Sequence, residues 1–281
     1  MKQLVDKQSL MLRIKKNNLV KIIAFYIKIW VLMAKNSMLS WLNKRESVII
    51  FVFGKVVRYF FYFSFLYFLV SKTGGLLGFT ANEVLFFTAT YSLVDTIGQF
   101  LFRSVYTFKQ LIVTGDFDMV LLKPVNALFR SIAGGPDLMD LITIPPIIFI
   151  TVYIGSLLNP SFVNIFYYIL LILNSLLVSM SIHIFVVSLV VITVTVDHLI
   201  MIFRDFSSMG RFPIDIYKQP LKGFLSFVVP VGIMFSVPSK ALIGLMSPSG
   251  ILMSLPFGIL FFFISLKFWQ FALRKYTSAS S

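Results

Sequence analysis

The stretch FVNIFYYILLILNSLLVSMSIHIFVVSLVVITVTV, residues 162–196, contains no aspartate, glutamate, lysine or arginine. An uncharged apolar run of this length indicates a helix that crosses a membrane, because about 20 such residues span the hydrocarbon core. The run is longer than one simple crossing needs at about 1.5 Å of rise per residue. We therefore expect this helix to tilt, to protrude from the membrane or to contain a break.

The composition of the whole chain agrees with a membrane protein. Of its 281 residues, 58% are hydrophobic and 13% are charged, whereas soluble domains are roughly 45–50% apolar and about 25% charged. We exclude a soluble globular domain and predict an all-α polytopic membrane protein. Cysteine is absent, which excludes disulfides, thiolate metal sites and thiol nucleophiles.

Polar residues, prolines and glycines divide the apolar sequence into six candidate spans. They cover residues 48–70, 84–102, 138–158, 162–196, 221–237 and 251–269. The fifth span is short and contains Pro230, with Pro238 just beyond it. For this segment, a half-crossing that returns to its own side fits the sequence as well as a straight helix does.

The positions of lysine and arginine predict the orientation. Most of them lie before the first span or near the ends of the second, fourth and sixth spans. They are Lys2, Lys7, Arg13, Lys15, Lys16, Lys21, Lys28, Lys35, Lys44 and Arg45, then Arg103, Lys109, Lys123 and Arg130, then Arg204, Arg211, Lys218 and Lys222, and finally Lys267, Arg274 and Lys275. The three alternate loops contain only Lys72 and Lys240. Because basic residues concentrate on the cytoplasmic side of a membrane protein, we predict that both termini are cytoplasmic.

Residues 1–47 form a predicted lead-in to the six-helix domain, which covers residues 48–281. The apolar run at residues 22–34 is shorter than a span requires, and Lys21, Lys28 and Lys35 repeat every seven residues on one helical face. We expect an amphipathic helix that lies along the inner leaflet with its lysines at the anionic headgroups. The alternative is a seventh span.

A short motif follows the second span, in a predicted cytoplasmic loop at about residues 103–137. It reads GDFDMVLLKP, residues 115–124. Gly115 is suited to end the preceding helix, Asp116 to cap a new one, and Pro124 to close it. Four adjacent apolar residues in this loop, Met119, Val120, Leu121 and Leu122, need a cover. That cover is either a partner protein or the inner ends of the spans.

This layout and motif resemble the permease subunit of an ABC exporter, in the type-two ABC permease superfamily. The stretches Gly210-Arg211-Phe212-Pro213, Pro220-Leu221 and 229–241 are similar to one branch of that superfamily, although Ser239 and Lys240 separate a proline and an alanine that usually adjoin there. The resemblance implies a coupling helix that docks on a cytoplasmic ABC ATPase. Its residues here would be Asp116, Phe117, Asp118, Met119, Val120, Leu121, Leu122, Lys123 and Pro124. It also implies a second permease, the same or homologous, and export by alternating exposure of a pathway between the two.

The chain itself is not expected to be an enzyme. It has no G-x-x-x-x-G-K-[ST] motif, since Gly54-Lys55 is followed by Val56. We expect ATP and Mg²⁺ to be used by the partner ATPase and no cofactor to be bound by this chain. Asp116 and Asp118 lack the second acidic cluster that a metal-phosphate site would need.

Three charged residues fall inside the predicted spans. Arg58 and Asp95 lie near mid-membrane on adjacent antiparallel helices, so we hypothesise an ion pair between them, which Lys55 could share. The alternative is that Lys55 and Arg58 both lie at the headgroups because the first span begins later. If the charges instead form an ion site, the chain would be an ion-coupled secondary transporter or a channel, which is our alternative function.

The fourth span carries a polar track of Asn174, Ser175, Ser179 and His183. These residues either face the substrate pathway or pack helices together, and small polar residues commonly do the latter in membranes. A metal site is not expected, because His183 and His198 are the only histidines and no carboxylate set surrounds them. The basic clusters lie where anionic lipid predicts them, so we expect membrane lipids, and no nucleic acid, as partners in a multi-pass plasma-membrane protein.

Overall fold

The computed structural model describes residues 19–42, 45–193 and 199–277. The start of the predicted lead-in, with Lys2, Lys7, Arg13, Lys15 and Lys16, lies outside the described residues, as do Lys44 and residues 278–281. The same holds for the end of the fourth predicted span beyond residue 193, including His198.

The described chain is mostly helical and contains no β-strand, which confirms the all-α prediction. Its helices are, in chain order, α1 (Leu19–Leu42), α2 (Arg45–Lys72), α3 (Ala81–Phe102), α4 (Phe108–Val113), α5 (Asp116–Leu122), α6 (Ala127–Ile132), α7 (Leu138–Ser156), α8 (Phe162–Thr193), α9 (Leu199–Ser208), α10 (Leu221–Val228), α11 (Gly232–Ile243) and α12 (Pro248–Lys275).

Six of the described helices are long and apolar enough to cross a membrane. They are α1, α2, α3 with its continuation to Val113, α7, α8 and α12. The predicted number of six is confirmed, but the membership differs. Helix α1, which the sequence assigned to the lead-in, is long and apolar enough to be one of the six. The predicted fifth span is not among them, because it is a pair of helices, α10 and α11, bent by 77° at a break.

The long helices form a bundle with two ends. We call the end that contains residues 103–137 the loop end, and the opposite end, with residues 73–80, 157–161 and 244–247, the far end. Helices α3 and α7 run in opposite directions, so that Gly155 at the finish of α7 packs on Phe86 near the start of α3. Helices α8 and α12 run in the same direction, with Asn174 Nδ2 donating to the carbonyl of Ser254 at 3.1 Å.

The fifth passage through the bundle is made by α9 and the 3-10 turn that follows it. At the loop end, the guanidinium of Arg204 lies 5.8 Å from the centre of the Tyr106 ring. Towards the far end, the Thr88 hydroxyl donates to the carbonyl of Arg211 at 3.0 Å. The chain therefore rises beside α3 over residues 199–211, before the segment that the sequence indicated as the fifth span.

Helices α10 and α11 form a hairpin that enters from the far end and returns to it. On the way in, the ring of Phe224 lies 5.4 Å from that of Phe206 in α9. On the way back, Phe235 lies 4.9 Å from Tyr91, and Ala241 packs against Leu171. A straight helix over residues 221–237 is wrong, because the segment is bent by 77° at the break that contains Pro230. The bend fits the re-entrant alternative as well as a broken span.

The hairpin also corrects the predicted distribution of charge. Asp215 forms ion pairs with Lys222 at 2.9 Å and with Lys240 at 2.5 Å. The pattern of lysines and arginines predicts these two lysines on opposite sides of the membrane, about 30 Å apart. Two ion pairs to the same carboxylate are incompatible with that distance. Both lysines lie at the far end. The basic residues after the fourth predicted span, which include Lys222, therefore do not all lie on the side predicted to be cytoplasmic.

Side chains of helix α1 pack against the loop end of the bundle. Tyr26 packs on Phe129 with ring centres 4.9 Å apart, and Ser37 Oγ donates to the carbonyl of Pro136 at 3.0 Å. These two contacts are about 16 Å apart along α1, yet both partners lie between residues 103 and 137. Lys21, Lys28 and Lys35 are all exposed, which agrees with a helix that crosses the loop end sideways.

Candidate functional site: the loop-end helix and the buried charges

The motif at residues 115–124 forms a short helix at the loop end, as the sequence predicted. Gly115 has φ +78°, a left-handed conformation that favours glycine and separates α4 from α5. Asp116 is the first residue of α5 rather than its cap, and its carboxylate accepts a hydrogen bond from the Thr114 hydroxyl at 2.7 Å. Lys123 then returns to an extended conformation and ends the helix.

Helix α5 has two different faces. Phe117 and Val120 are 0% and 7% exposed and belong to the main hydrophobic core. Met119 and Leu122, three residues apart on the opposite side, are 62% and 67% exposed. Residues at this spacing share one helical face, so α5 presents an apolar surface outward while its other side is embedded in the bundle.

The buried face of α5 is held by aromatic residues, two of them near the end of α12. The ring of Phe117 lies 5.3 Å from that of Phe108, 6.4 Å from Trp269 and 5.1 Å from Tyr276. The Tyr276 hydroxyl also donates a hydrogen bond to Asp118 Oδ1 at 2.9 Å. Partial burial and the neighbouring Asp118 carboxylate raise the pKa of Tyr276 to about 12, so it keeps this proton at neutral pH.

The structure divides the nine predicted coupling residues into two groups. Phe117 and Val120 are buried, while Asp118 and Leu121 are partly buried, with Leu121 packed against the main core. The exposed group consists of Asp116, Met119, Leu122, Lys123 and Pro124. The bundle therefore covers the buried face of α5, whereas the exposed face is available for a partner.

The predicted ion pair between Arg58 and Asp95 is wrong. Lys55 Nζ lies 2.7 Å from Asp140 Oδ1, near the start of α7, whereas Arg58 is exposed and stacks over the ring of Tyr59. Asp95 Oδ2 accepts a hydrogen bond from Gln99 at 2.7 Å. Because Asp140 lies beside the loop end, its partner Lys55 also lies towards that end. Helix α2 nevertheless begins at Arg45, so the later start of the first span that the headgroup alternative assumed is not observed.

Asp95 belongs to a small buried polar cluster between α3, α8 and α9. The cavity at its centre measures about 10 Å³, room for roughly one water molecule. Its polar lining comprises Asp95, Gln99, Tyr106, Ser179, His183, Arg204 and Ser207. His183 Nε2 and Ser207 Oγ have no hydrogen-bond partner among the described residues, so both have capacity to bind a water there.

The four residues of the predicted polar track are all buried. Asn174 bridges α8 to α12, and Gly258 of α12 is so close to it that a Cβ there would lie 2.1 Å from Asn174 Oδ1. Ser179 packs on Gly98 of α3. Ser175 Oγ donates to the carbonyl of Leu171 at 2.7 Å and His183 Nδ1 to that of Ser179 at 2.7 Å. Asn174 and Ser179 therefore pack helices together, whereas the hydrogen bonds of Ser175 and His183 are made within α8.

The family assignment rests on a comparison that covers most of the chain. A family model described as ABC-2 family transporter protein matches residues 56–280. This chain belongs to the ABC-2 transporter family. Neither a curated protein nor a solved structure gives a significant match. ABC-2 permeases are membrane components of transporters and are not themselves catalytic. The apolar helices of this chain agree with a multi-pass membrane protein.

Among the charged residues at contacts that sequence reasoning on this ABC-2 permease missed are Asp140 and Arg211. Asp140, the partner of Lys55, lies two residues inside the third predicted span, and that position was the available signal. Arg211 was assigned to a basic loop, but its guanidinium lies between the rings of Tyr62 and Tyr91, 5.6 and 5.3 Å from their centres. In the sequence, the only indication of a special role for Arg211 is its position in the stretch Gly210-Arg211-Phe212-Pro213, which resembles the permease superfamily.

Proposed function

We propose that this chain is the permease subunit of an ATP-driven ABC exporter in the plasma membrane. The observation that carries the proposal is the outward apolar face of α5, with Met119 and Leu122 62% and 67% exposed. We propose that this face docks on a separate ABC ATPase, which binds and hydrolyses ATP with Mg²⁺. The chain would contribute the pathway and no catalytic residue.

The position of α5 supports a cytoplasmic partner. The loop end carries Arg103, Lys109, Lys123 and Arg130, and also the end of α12 with Arg274 and Lys275, a concentration that the positive-inside tendency assigns to the cytoplasm. An exposed apolar pair at a watery surface is costly unless it is covered. Lipid does not provide that cover if α5 projects beyond the membrane, whereas an ATPase groove would.

The buried face of α5 would transmit the movement of the ATPase. Phe117 contacts Phe108 of α4 and Trp269 of α12, so a displacement of α5 acts on two elements at once. Helix α12 in turn packs along α8 through Asn174 and Phe185. A rigid-body push on α5 would thereby tilt the helices that, with a second permease of the same or a homologous kind, enclose the substrate pathway.

Co-purification of the ATPase tests the docking surface. The tagged full chain is purified from its source cell, and proteins with the G-x-x-x-x-G-K-[ST] motif are identified among those that co-purify. In the variant, Met119→Asp with Leu122→Asp places two charges on the exposed face. We expect loss of the ATPase from the purified complex, because carboxylates buried at an apolar interface without partners are strongly disfavoured. Phe117, Val120 and Leu121 are left intact, so the permease itself should fold.

A matched control uses two exposed leucines at the far end. Leu77→Asp with Leu245→Asp introduces the same charges at residues that are 65% and 58% exposed. This variant should retain the ATPase. Undiminished co-purification by the Met119/Leu122 variant would refute the docking role, as would equal loss by both variants.

The alternative function, an ion-coupled secondary transporter or channel, has less support. Lys55 is paired with Asp140, Asp95 accepts from Gln99, and Arg58 is exposed. The three charges therefore do not converge on one ion site. If transport by the purified chain followed an imposed proton gradient without ATPase, this alternative would replace our proposal.

A further inference from the structure

The small cavity between α3, α8 and α9 is lined by two buried polar atoms that need hydrogen-bond partners. His183 Nε2 and Ser207 Oγ both lie there, and neither has a partner among the described residues. The two atoms therefore do not bond to each other, although their residues line the same cavity of about 10 Å³. An unpaired buried polar group is costly, so a molecule that bridges the two would stabilise both.

The hydrogen bond on the other side of the His183 ring decides what Nε2 needs. His183 Nδ1 lies 2.7 Å from the carbonyl oxygen of Ser179. Because a carbonyl can only accept, Nδ1 carries the ring proton, and Nε2 of the neutral ring is an acceptor. The Ser207 hydroxyl can donate as well as accept. The bridging molecule must therefore donate to His183 and can accept from Ser207.

The size and charge of the cavity restrict what can occupy it. A cavity of about 10 Å³ has room for roughly one water molecule. Among the described residues that line it, Asp95 is the carboxylate and Arg204 the guanidinium. With His183 neutral, these two charges cancel, so the lining favours neither a cation nor an anion. Water fits because it is neutral, has this size, and both donates and accepts hydrogen bonds.

We propose that this cavity is a binding site for a single water molecule that joins α9 to α8. The water donates one hydrogen to His183 Nε2 and accepts a hydrogen bond from the Ser207 hydroxyl. Its second hydrogen is directed to the Asp95 carboxylate in the same lining, which makes three hydrogen bonds, about the number that is typical of a buried water. The proposal does not depend on ATP-driven export.

The water fastens the part of α9 that leads to the hairpin. Two buried residues of α9 face the bundle, Ile200 near its start and Ser207 near its end. Ile200 belongs to the main hydrophobic core, whereas Ser207 lies at the polar cavity. The end of α9 is thus held by a hydrogen-bonded water, just before the chain continues to Arg211 and turns into α10.

X-ray radiolytic footprinting of the full chain in nanodiscs tests for the water. X-rays split water into hydroxyl radicals, so a bound water oxidises adjacent side chains even where bulk water has no access. Met234 and Phe235 line the cavity and are 2% and 1% exposed. We expect both to be oxidised. Phe86 is equally buried but lies outside this lining, so it should be oxidised much more slowly than Phe235.

A matched pair of glycine substitutions tests whether the cavity is the source of the radicals. A Cβ at Gly98 would lie 3.0 Å from Ser179 Oγ, and both residues line the cavity. Gly98→Ala therefore takes up space that the water needs and should suppress oxidation of Met234. Gly155→Ala is the control, because a Cβ there would lie 3.1 Å from Phe86 Cε2, at a similarly close helix contact outside the cavity. It should leave the oxidation of Met234 unchanged.

Energetic coupling tests the bridge itself. Ser207→Ala and His183→Phe each remove one partner of the water, so the double variant should lower the melting temperature by less than the sum of the single effects. Ser188→Ala is the control, since the Ser188 hydroxyl donates to the carbonyl of Ile184 within α8 at 2.7 Å. Combined with His183→Phe, it should have an additive effect.

Three results would overturn the proposal. They are equal oxidation of Met234 in the unmodified chain and the Gly98→Ala variant, additive effects of the His183 and Ser207 substitutions, and a melting temperature that depends on Na⁺ or K⁺ at constant ionic strength. The last result would show that the cavity holds a cation and not a water.

Discussion

The hydroxyl of Tyr276 donates a hydrogen bond to Asp118 at 2.9 Å and thereby joins the end of α12 to helix α5. These residues are 158 positions apart in the sequence. The ring of Tyr276 reinforces the link by packing edge-on against Phe117. Any movement that a partner imposes on α5 therefore reaches the last membrane helix directly.

Substitutions in this link should separate the hydrogen bond from the packing. Tyr276→Phe keeps the ring and removes one partly exposed hydrogen bond, so we expect a loss of less than about 1 kcal/mol in the free energy of unfolding. Phe117→Ala removes a fully buried ring and should cost about 3 kcal/mol or more. Thermal unfolding in detergent measures both, with Met119→Ala as an exposed control on the same helix. Equal effects of the Phe117 and Met119 substitutions would contradict the placement of the two faces.

The pairing of Lys55 with Asp140 predicts energetic coupling between these two residues. Lys55→Gln and Asp140→Asn should each lower the free energy of unfolding by roughly 2 kcal/mol, because each leaves a largely buried charge without its partner. The double variant should lose clearly less than the sum. Substitutions of Arg58 and Asp95 should have additive effects on the free energy of unfolding. Coupling between them would instead support the ion pair that the structure does not contain.

The hairpin depends on a close approach at Gly210. A Cβ at this position would lie 2.3 Å from Phe235 Cδ2 and 2.8 Å from Val231 Cγ1, so Gly210→Ala should cost about 1–3 kcal/mol through overpacking. Gly54→Ala is the control, since no atom lies within 4 Å of a Cβ there. It should be neutral or stabilising, because glycine is unfavourable inside a helix. Thermal unfolding compares the two, and Phe235→Leu should partly rescue Gly210→Ala.

The ion pairs of Asp215 predict a pH dependence of stability. Burial alone would raise the pKa of Asp215, but hydrogen bonds and charges from Lys240 and Lys222 outweigh burial and lower it below the usual value. A lowered pKa in the folded state stabilises the protein above the ordinary aspartate value of about 3.9, and this stabilisation is lost as the pH falls through the lowered pKa.

Asp215→Asn should therefore reduce the melting temperature at pH 7 and flatten its decline in acid. The exposed Asp205, changed to Asn, is the control and should leave the profile unchanged. A melting curve of Asp215→Asn that follows the unmodified chain at every pH would show that these ion pairs do not hold the hairpin.

The sequence could predict features that depend on composition along a single helix. The long apolar run at residue 162 became α8, and Gly115 separated α4 from α5 as its neighbours indicated. It could not predict which side of a helix faces which neighbour. Arg58 and Asp95 were matched by depth, but Arg58 lies on the exposed side of α2, and Lys55 is the residue that faces α7.

The fifth span shows a second limit. Lys222 was read as a cytoplasmic charge because the positive-inside tendency considers lysines and arginines alone. In the structure, Asp215 neutralises part of the charge of Lys222 and Lys240 through a contact that forms only when the hairpin folds back. A one-dimensional pattern does not contain that contact, although Pro230 correctly indicated the break.

The central claim is that Leu122 faces an ABC ATPase, and site-specific crosslinking in the source cell tests it most directly. A photoreactive amino acid replaces Leu122 in the full chain, with the same replacement at Leu77 as the control. We predict a crosslink from residue 122 to a protein whose peptides contain the G-x-x-x-x-G-K-[ST] motif, and none from residue 77. Crosslinks from residue 122 to lipid or to another part of this chain, with no ATPase among the products, would contradict the account.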